Sequence, residues 1–313
     1  RIVVLGGTGF VGRSVCERLQ RRWPSAAIVV PTRRLKHGRR LQWLPTIELV
    51  KADVHDDAAL RRLLAGADAV VHLVAILHGS QADFDRVHVQ LPKRLVAACA
   101  HAGVRRVVHI SALGVGTDAP SRYLRSKAEG ERVLREAPLD VTVLRPSVIF
   151  GREDKLLNMF ATMQAVLPVM PLAGAGARFQ PVWVEDVAEA VVVALRDRQT
   201  IGQVYECAGP GVCTLADLVR LAGRLAGHER PVVALPDGVA RLQAAAMSLL
   251  PGEPLLSSDN LDSLKVDTVA TGTLPGLADL GITPAALEAV APGYLAPGQG
   301  AGRLNPWRAH ARR

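Results

Sequence analysis

A glycine-spaced turn near the amino terminus constrains the fold of this chain more than any other stretch. Residues 1–12 read RIVVLGGTGFVG. Residues 2–5 are a short apolar run, which suits a strand buried on both faces of a parallel sheet. Glycines follow at Gly6, Gly9 and Gly12, and a helical apolar pattern begins within them. A strand, a glycine turn and a helix present backbone N–H groups to a pyrophosphate, so this stretch predicts dinucleotide binding.

Further apolar runs alternate with helical patterns along the chain. Strands are predicted at 26–30, 47–50, 69–75, 107–111, 141–151 and 202–208. This alternation predicts an α/β fold, a doubly wound parallel, Rossmann-like sheet with a small C-terminal α/β lobe. The predicted segments are an NAD(P)-binding domain over 1–151, a substrate or partner lobe over 152–295 whose residues 182–208 return to the sheet, and a basic disordered tail over 296–313.

The charge distribution of the chain limits the classes of partner that it can bind. The 313 residues carry a net charge of +9. Apart from 33–40 and 303–313 the basic residues are dispersed, which indicates a solvated basic face and not a nucleic-acid-binding surface. No apolar run reaches the roughly 20 residues that a transmembrane helix needs. Four cysteines show no metal-binding spacing, so we predict no metal cofactor.

The end of the second predicted strand indicates which nucleotide is bound. An acidic residue at this position would accept hydrogen bonds from the ribose 2′-hydroxyl of NAD, whereas arginine accommodates a 2′-phosphate. This sequence has Arg33 and Arg34 there and no acid, which favours NADPH over NAD. After the third strand, Asp53 is placed either to meet the adenine amino group or to cap the following helix.

A second group of polar residues follows the fifth strand. Tyr123 and Lys127 are four residues apart on a predicted helix and therefore share one face. An ammonium group near a phenol favours the phenolate, so Lys127 is expected to lower the pKa of Tyr123. Tyr123 is then a candidate proton donor or acceptor, and Ser111, at the strand end, a candidate hydrogen-bond donor to a substrate oxygen.

Together these motifs resemble the short-chain dehydrogenase/reductase superfamily in its extended or atypical branch. The sequence is most similar to the nucleotide-binding accessory subunit of respiratory complex I and its bacterial relatives, in the stretches 121–131, 150–158, 180–187 and 274–281. This resemblance implies bound NADPH, a Rossmann-like sheet and a place beside a membrane complex. Extended members of the superfamily usually carry an Asn in a V-N-V context, where this chain has His88. A histidine on the helix surface is the favoured interpretation of that departure.

The motifs and the resemblance together define the predicted site. The predicted catalytic residues are Tyr123, Lys127 and Ser111. The residues predicted to contact the nucleotide are Gly6, Thr8, Gly9, Phe10, Val11, Gly12, Arg33, Arg34, Asp53, Val54, Leu73, Val74, Ala75, Tyr123, Lys127, Pro146 and Val148.

Two functions are compatible with this site. The first is an NAD(P)H-dependent oxidoreductase or epimerase-like enzyme that uses Tyr123 and Lys127 on a small molecule. The second is a non-catalytic role, in which bound NADPH supports a membrane-associated respiratory or quinone-biosynthesis complex. The absence of a signal-peptide pattern predicts a cytoplasmic location, with peripheral association at the inner face of the membrane left open.

Overall fold

The computed structural model describes residues 1–248 and 257–296, which form two compact units. The first unit comprises Arg1–Pro146, Val184–Cys207 and Thr271–Thr283. The second contains the described residues of Ser147–Trp183, Ala208–Ala270 and Pro284–Arg313. The segment boundaries proposed from the sequence stay predictions. Except for residue 296, the predicted basic tail lies outside the described residues.

The strands are short, as expected for a doubly wound fold. They are β1 (Ile2–Leu5), β2 (Ile28–Thr32), β3 (Ile47–Lys51), β4 (Ala69–His72), β5 (Arg106–Ile110), β6 (Asp140–Pro146), β7 (Ile149–Phe150), β8 (Met170–Ala173), β9 (Arg178–Phe179), β10 (Val182–Trp183), β11 (Val204–Cys207), β12 (Cys213–Thr214) and β13 (Val232–Leu235).

Helices connect most of the strands. They are α1 (Phe10–Arg22), α2 (Asp57–Leu64), α3 (Gln81–Phe84), α4 (Leu91–Ala102), α5 (Arg122–Glu136), α6 (Leu156–Val166), α7 (Val184–Arg196), α8 (Leu215–Ala226), α9 (Asp237–Ser248), α10 (Ser258–Ser263), α11 (Leu287–Val290) and α12 (Pro292–Leu295). A π-helical segment, Asp85–Gln90, joins α3 to α4, and 3₁₀ turns occupy Leu35–Leu41, Arg198–Thr200 and Ala278–Leu280. None of the helices within residues 1–248 and 257–296 has the length and apolar character that crossing a membrane requires.

The sheet of the first unit has seven strands among the residues that the structure describes. Their order is β11-β6-β5-β4-β1-β2-β3, and each neighbouring pair is parallel. The predicted doubly wound parallel sheet is therefore confirmed. The strand order reverses between β1 and β4, and in such sheets ligands bind outside the carboxyl ends of the strands at this reversal.

The central strands are apolar because helices cover both faces of the sheet. All four residues of β1 and of β4 are buried. On one face Val3, Val70 and Val107 pack with Leu60 of α2 and Leu95 of α4. Burial on both faces explains the uninterrupted apolar runs in the sequence.

The second unit combines short strand pairs with helices around a core of its own. β7 pairs with β10 and β8 with β13, both parallel, and β9 pairs antiparallel with β12. Phe150, Phe160 of α6 and Leu218 of α8 belong to one buried cluster. This arrangement confirms the predicted small C-terminal α/β lobe.

Candidate nucleotide-binding site

The glycine turn joins β1 to α1 and has no room for larger residues. Gly6 has a φ of +87°, a conformation that favours glycine. A Cβ atom at Gly12 would lie 2.3 Å from the Gly6 carbonyl oxygen. Gly9 is the N-cap of α1 and supplies no capping side chain, and the first turn of the helix contains no acidic residue. The first-turn N–H groups and the helix dipole therefore suit an anion such as a pyrophosphate.

A cleft of about 460 Å³ opens beside this turn in the first unit. Its lining residues come from the glycine turn and from the segments that follow β2, β3 and β4. They are Gly6, Thr8, Pro31, Thr32, Arg33, Arg34, His37, Ala52, Asp53, Val54, His55 and Val74. The structure thus brings Gly6, Thr8, Arg33, Arg34, Asp53, Val54 and Val74, all predicted as nucleotide contacts, to one cavity.

One stretch of the cleft wall is cationic, because it carries the exposed side chains of Arg33 and Arg34. His37 is exposed on the same stretch. Asp53 is the one acidic residue among the described residues that line it. Its carboxylate accepts a hydrogen bond from the His55 N–H at 3.0 Å, and it does not cap α2. Asp56 has that role, because its side chain accepts from the Ala59 N–H at 2.6 Å.

The loop after β4 packs directly against the glycine turn. A Cβ atom at Gly6 would lie 3.1 Å from the Leu73 carbonyl carbon and 3.2 Å from the Val74 nitrogen. Ala75 follows in the same loop. Phe10 and Val11 begin α1. The predicted contacts in the first turn of α1 and in the loop after β4 therefore lie on two segments that flank the same turn.

Two of the predicted catalytic residues, Ser111 and Lys127, lie at the carboxyl end of β5, and Tyr123 precedes Lys127 by one turn of α5. Lys127 is buried, and its Nζ atom donates a hydrogen bond to the Ile110 carbonyl oxygen at 2.6 Å. Ser111 follows Ile110, and its N–H donates to the Leu144 carbonyl oxygen at 2.7 Å. The Ser111 Oγ atom is buried without a hydrogen-bond partner among the described residues. A buried unpaired hydroxyl at this edge fits a ligand oxygen.

The strand exits near these residues are also fixed by backbone hydrogen bonds. Pro146 ends β6, and its carbonyl oxygen accepts from the Leu113 N–H at 2.9 Å. Val148 belongs to the second unit, where its carbonyl oxygen accepts from the Val182 N–H at 3.0 Å. The predicted contacts of Pro146 and Val148 with the nicotinamide end stay predictions.

The electrostatics of Tyr123 differ from the sequence-based expectation. Burial raises the pKa of Tyr123 to about 12, so the predicted lowering by Lys127 is wrong for this structure. The pKa of Lys127 itself falls to about 8, chiefly because of burial, which Glu131 partly opposes. A protonated phenol can donate a proton or a hydrogen bond, but it is a poor general base near neutral pH.

The placement of His88 also contradicts the prediction. Its side chain is 3 % exposed and is not on the helix surface. It lies in the π-helical segment between α3 and α4, with its ring edge-to-face against Tyr123 at a centroid distance of 5.5 Å. The extra residue in a π-helical turn rotates the helix surface, which the 3.6-residue period of the sequence does not predict.

Two more buried histidines lie beneath this edge of the sheet. His72 ends β4 and pairs in register with His109 of β5. Their rings stack at 4.9 Å, and their Nδ1 atoms are 2.8 Å apart. Burial, the first cause, and Lys127 lower the pKa of His72 to about 3 and the pKa of His109 well below its usual value. Both imidazoles are therefore neutral, and one Nδ1–H donates to the other Nδ1.

Sequence reasoning missed several residues of this region. His55 lines the cleft two residues after Asp53 and was accessible from the rule that strand exits form the ligand edge. His37 reaches the cleft through a 3₁₀ turn, for which the sequence carries no periodic signal. The pairing of His72 with His109 depends on the register of β4 and β5, which the sequence does not specify.

The glycine turn, the sheet reversal and the cleft define a Rossmann-type protein with a dinucleotide site. Residues 2–208 match the model of the NAD dependent epimerase/dehydratase family, and the chain belongs to that family. It is therefore an NAD(P)-binding, oxidoreductase-like protein.

Two relatives whose names describe an assembly or an activity give a finer comparison. The chain is 32 % identical over 292 residues to NADH dehydrogenase (ubiquinone) 1 alpha subcomplex subunit 9, mitochondrial, of Mus musculus, covering 91 % of this chain and 77 % of that protein. It is 29 % identical over 241 residues to a ceramide reductase of Caulobacter vibrioides, covering 75 % of this chain and 74 % of that protein.

Solved structures share the fold. The NADPH-dependent quinone oxidoreductase QOR2 of Escherichia coli aligns with a TM-score of 0.74 at 22 % identity, covering 93 % of this chain and 99 % of that one. The dTDP-glucose 4,6-dehydratase DesIV of Streptomyces venezuelae aligns with a TM-score of 0.73 at 23 % identity, covering 100 % and 98 %.

The residues present fit a nicotinamide dinucleotide. Gly12 lets α1 pack against the Gly6–Gly7 backbone of the turn, and Ser111 Oγ is a buried polar atom without a hydrogen-bond partner among the described residues. A bound nicotinamide nucleotide supplies or accepts hydride. The chain itself offers an anion-binding turn, a cationic wall and a protonated Tyr123. Among residues 1–248 and 257–296, no group of three or more His, Cys, Asp or Glu side chains is arranged to hold a metal ion.

Proposed function

We propose that this protein binds NADPH and holds it without rapid turnover, in support of a membrane-associated respiratory or quinone-related assembly. The observation that carries the nucleotide choice is the cationic cleft wall, where Arg33 and Arg34 follow β2. A 2′-phosphate adds negative charge at this position, and guanidinium groups bind phosphate through paired, charge-assisted hydrogen bonds. Asp53, on a different strand exit, remains available to the adenine amino group.

One feature of the sequence supports a role without turnover. His88 occupies the position where extended dehydrogenases usually carry an Asn. The name of the mouse relative describes a subunit of a mitochondrial NADH dehydrogenase. We infer that this chain is likewise peripheral to a membrane complex, and a cytoplasmic location at the inner face of the membrane is part of the proposal.

A reductase is the second candidate, and one observation favours it. Lys127 donates to the Ile110 carbonyl oxygen next to Ser111, and Ser111 Oγ has no protein partner among the described residues. In this reaction Ser111 orients a carbonyl oxygen by a hydrogen bond, and Tyr123 donates a proton to it as hydride arrives at the carbon. A phenol with a pKa of about 12 suits reduction better than oxidation, because oxidation needs the phenolate as base.

Nucleotide titrations test the proposed preference. The Arg33→Ala/Arg34→Ala variant is expected to lose at least about tenfold in affinity for NADPH, while its affinity for NADH changes less than about threefold. The control, Arg61→Ala/Arg62→Ala, removes the same charge from exposed positions of α2 and is expected to bind both nucleotides normally. Equal losses for NADPH and NADH would refute recognition of the 2′-phosphate.

A pair of variants separates the two roles. Tyr123→Phe removes the hydroxyl group and keeps the ring, whereas Arg33→Ala/Arg34→Ala removes two exposed charges from the cleft wall. If NADPH serves without turnover, a cell that depends on this protein tolerates Tyr123→Phe and fails with Arg33→Ala/Arg34→Ala. A reductase would fail with both. In vitro, the wild type is mixed with NADPH and with ketones or quinone precursors. Oxidation of the bound NADPH would indicate a reductase, and no oxidation would indicate a role without turnover.

A further inference from the structure

His88 joins two segments that the sequence places far apart. We propose that His88 is a positioning residue, which fixes the loop after β4 to helix α5 and so holds that loop in the conformation that binds the dinucleotide. The inference deepens the proposed function, since its consequence for affinity rests on NADPH binding. The linkage itself is a property of the protein without nucleotide.

Both nitrogen atoms of the His88 ring are engaged. The Ile76 N–H donates a hydrogen bond to His88 Nε2 at 3.1 Å. An acceptor Nε2 in a neutral imidazole leaves the proton on Nδ1, so Nδ1–H donates to Ser126 Oγ, 2.8 Å away. Ser126 Oγ in turn donates to the Tyr123 carbonyl oxygen at 2.9 Å. A directed chain of hydrogen bonds therefore runs from the loop after β4 into the helix that carries Tyr123.

The environment of His88 keeps this arrangement in one protonation state. The side chain is 3 % exposed, and burial, followed by the charge of Lys127 and by His72, lowers its pKa to about 3. The ring also contacts Phe84 at a centroid distance of 5.6 Å, besides the contact with Tyr123. A neutral ring enclosed in this way has a single tautomer and little rotational freedom, which suits a fixed spacer.

Ile76, where this series of hydrogen bonds begins, lies in the loop that adjoins the nucleotide cleft. Val74, two residues before Ile76, lines the cleft, and the Leu73–Val74 peptide packs against Gly6. The Leu73 N–H still donates to the Leu5 carbonyl oxygen of β1 at 2.9 Å, whereas residues 74–76 lie beyond the strand without regular structure. The bond from Ile76 to His88 therefore restrains a loop that also supports the glycine turn.

On the side of α5, the backbone of His88 packs closely against the helix. A Cβ atom at Gly130 of α5 would lie 1.8 Å from the His88 carbonyl oxygen. The π-helical segment Asp85–Gln90 and α5 thus pack closely enough that residue 130 needs to be glycine. Packing against α5 sets the position of His88, and its imidazole accepts the hydrogen bond from the loop after β4 on the other side.

Two isosteric substitutions separate the two hydrogen bonds. The side-chain amide of Asn overlays Nδ1 of histidine, so His88→Asn keeps the bond to Ser126 and loses the bond from Ile76. The longer Gln overlays Nε2, so His88→Gln keeps an acceptor for Ile76 and loses the bond to Ser126. His101→Asn, at an exposed position of α4, is the matched control.

The first readout is amide hydrogen exchange of residues 73–80 in protein without nucleotide. We expect exchange of the Ile76 amide to accelerate about tenfold or more in His88→Asn and to stay within about threefold of wild type in His88→Gln and His101→Asn. The second readout is NADPH affinity, which is expected to fall about tenfold in His88→Asn only. A non-specific structural role would weaken Gln and Asn variants alike.

The outcomes separate this inference from the proposed function. Unchanged Ile76 exchange in His88→Asn, or equal losses in His88→Asn and His88→Gln, would overturn the positioning role. If the wild type does not bind NADPH, the proposed function is wrong. The hydrogen-exchange measurement, made without nucleotide, would still test the role of His88. If the variants do not fold, ¹⁵N chemical shifts of the wild-type histidines decide, since the inference requires a protonated Nδ1 and an unprotonated Nε2 at His88.

Discussion

Mild acid is expected to destabilise this protein strongly, because three histidines are buried in the neutral form. His72, His88 and His109 are each 3 % exposed or less. Burial and the charge of Lys127 hold the pKa values of His72 and His88 at about 3 and that of His109 well below its usual value. In the unfolded chain each imidazole regains an ordinary pKa of about 6.5.

The sign and size of the effect follow from proton linkage. Below pH 6.5 the unfolded chain binds protons that the native protein excludes, so the free energy of unfolding falls as the pH falls towards 3 and is insensitive to these groups well above pH 7. At pH 5 His72 and His88 each contribute a loss of about 2 kcal/mol, and His109 adds to this loss in the same direction. That loss is of the order of the whole stability of a typical domain.

Urea denaturation between pH 5 and pH 7.5 measures this dependence. Near pH 5 the free energy of unfolding should change by about 4 kcal/mol per pH unit, which corresponds to uptake of about three protons. The His72→Leu/His109→Leu variant should show about one-third of that slope, and His101→Asn the full slope, because His101 is exposed in the native protein. A wild-type slope near that of one proton would refute the assignment of three neutral buried histidines.

Two further predictions concern the first unit. Gly12→Ala should destabilise the fold by at least about 2 kcal/mol, because its Cβ would lie 2.3 Å from a carbonyl oxygen, whereas Gly116→Ala, with no atom within 4 Å of its Cβ, should unfold like wild type in urea. Glu131→Ala leaves Arg145 without its bidentate carboxylate partner (2.6 and 3.0 Å) and should cost about 3 kcal/mol in calorimetry or urea unfolding. Glu129→Ala, which removes an exposed ion pair, should cost much less; equal costs would contradict the role of burial.

The parts of the fold that follow from local sequence were predictable. The buried strand Ile2–Leu5, the glycine turn and α1 follow one another within the first 22 residues, and each has a local signature. The repeated alternation of strand and helix then limits the topology, because parallel strands joined by helices cross over with one hand. For the same reason residues that follow β1, β2, β3 and β4 line one cleft, as the carboxyl ends of parallel strands predict.

Features that depend on distant contacts were not predictable. His88 was assigned to a helix surface because an α-helical period was assumed, and the π-helical segment buries it instead. The lowering of the Tyr123 pKa was inferred from its spacing to Lys127, but the ammonium group donates to the Ile110 carbonyl and burial dominates at the phenol. Helical spacing places two side chains on one face; their solvation and other partners come from the tertiary fold.

Native mass spectrometry of the purified chain, with and without added NADPH, tests the central claim most directly. We expect a mass increase of one NADPH per chain for the wild type and a much smaller bound fraction for Arg33→Ala/Arg34→Ala at the same NADPH concentration, while Arg61→Ala/Arg62→Ala binds as the wild type does. A wild-type chain that takes up neither NADPH nor NADH would contradict the assignment of the glycine turn and its cleft as a dinucleotide site.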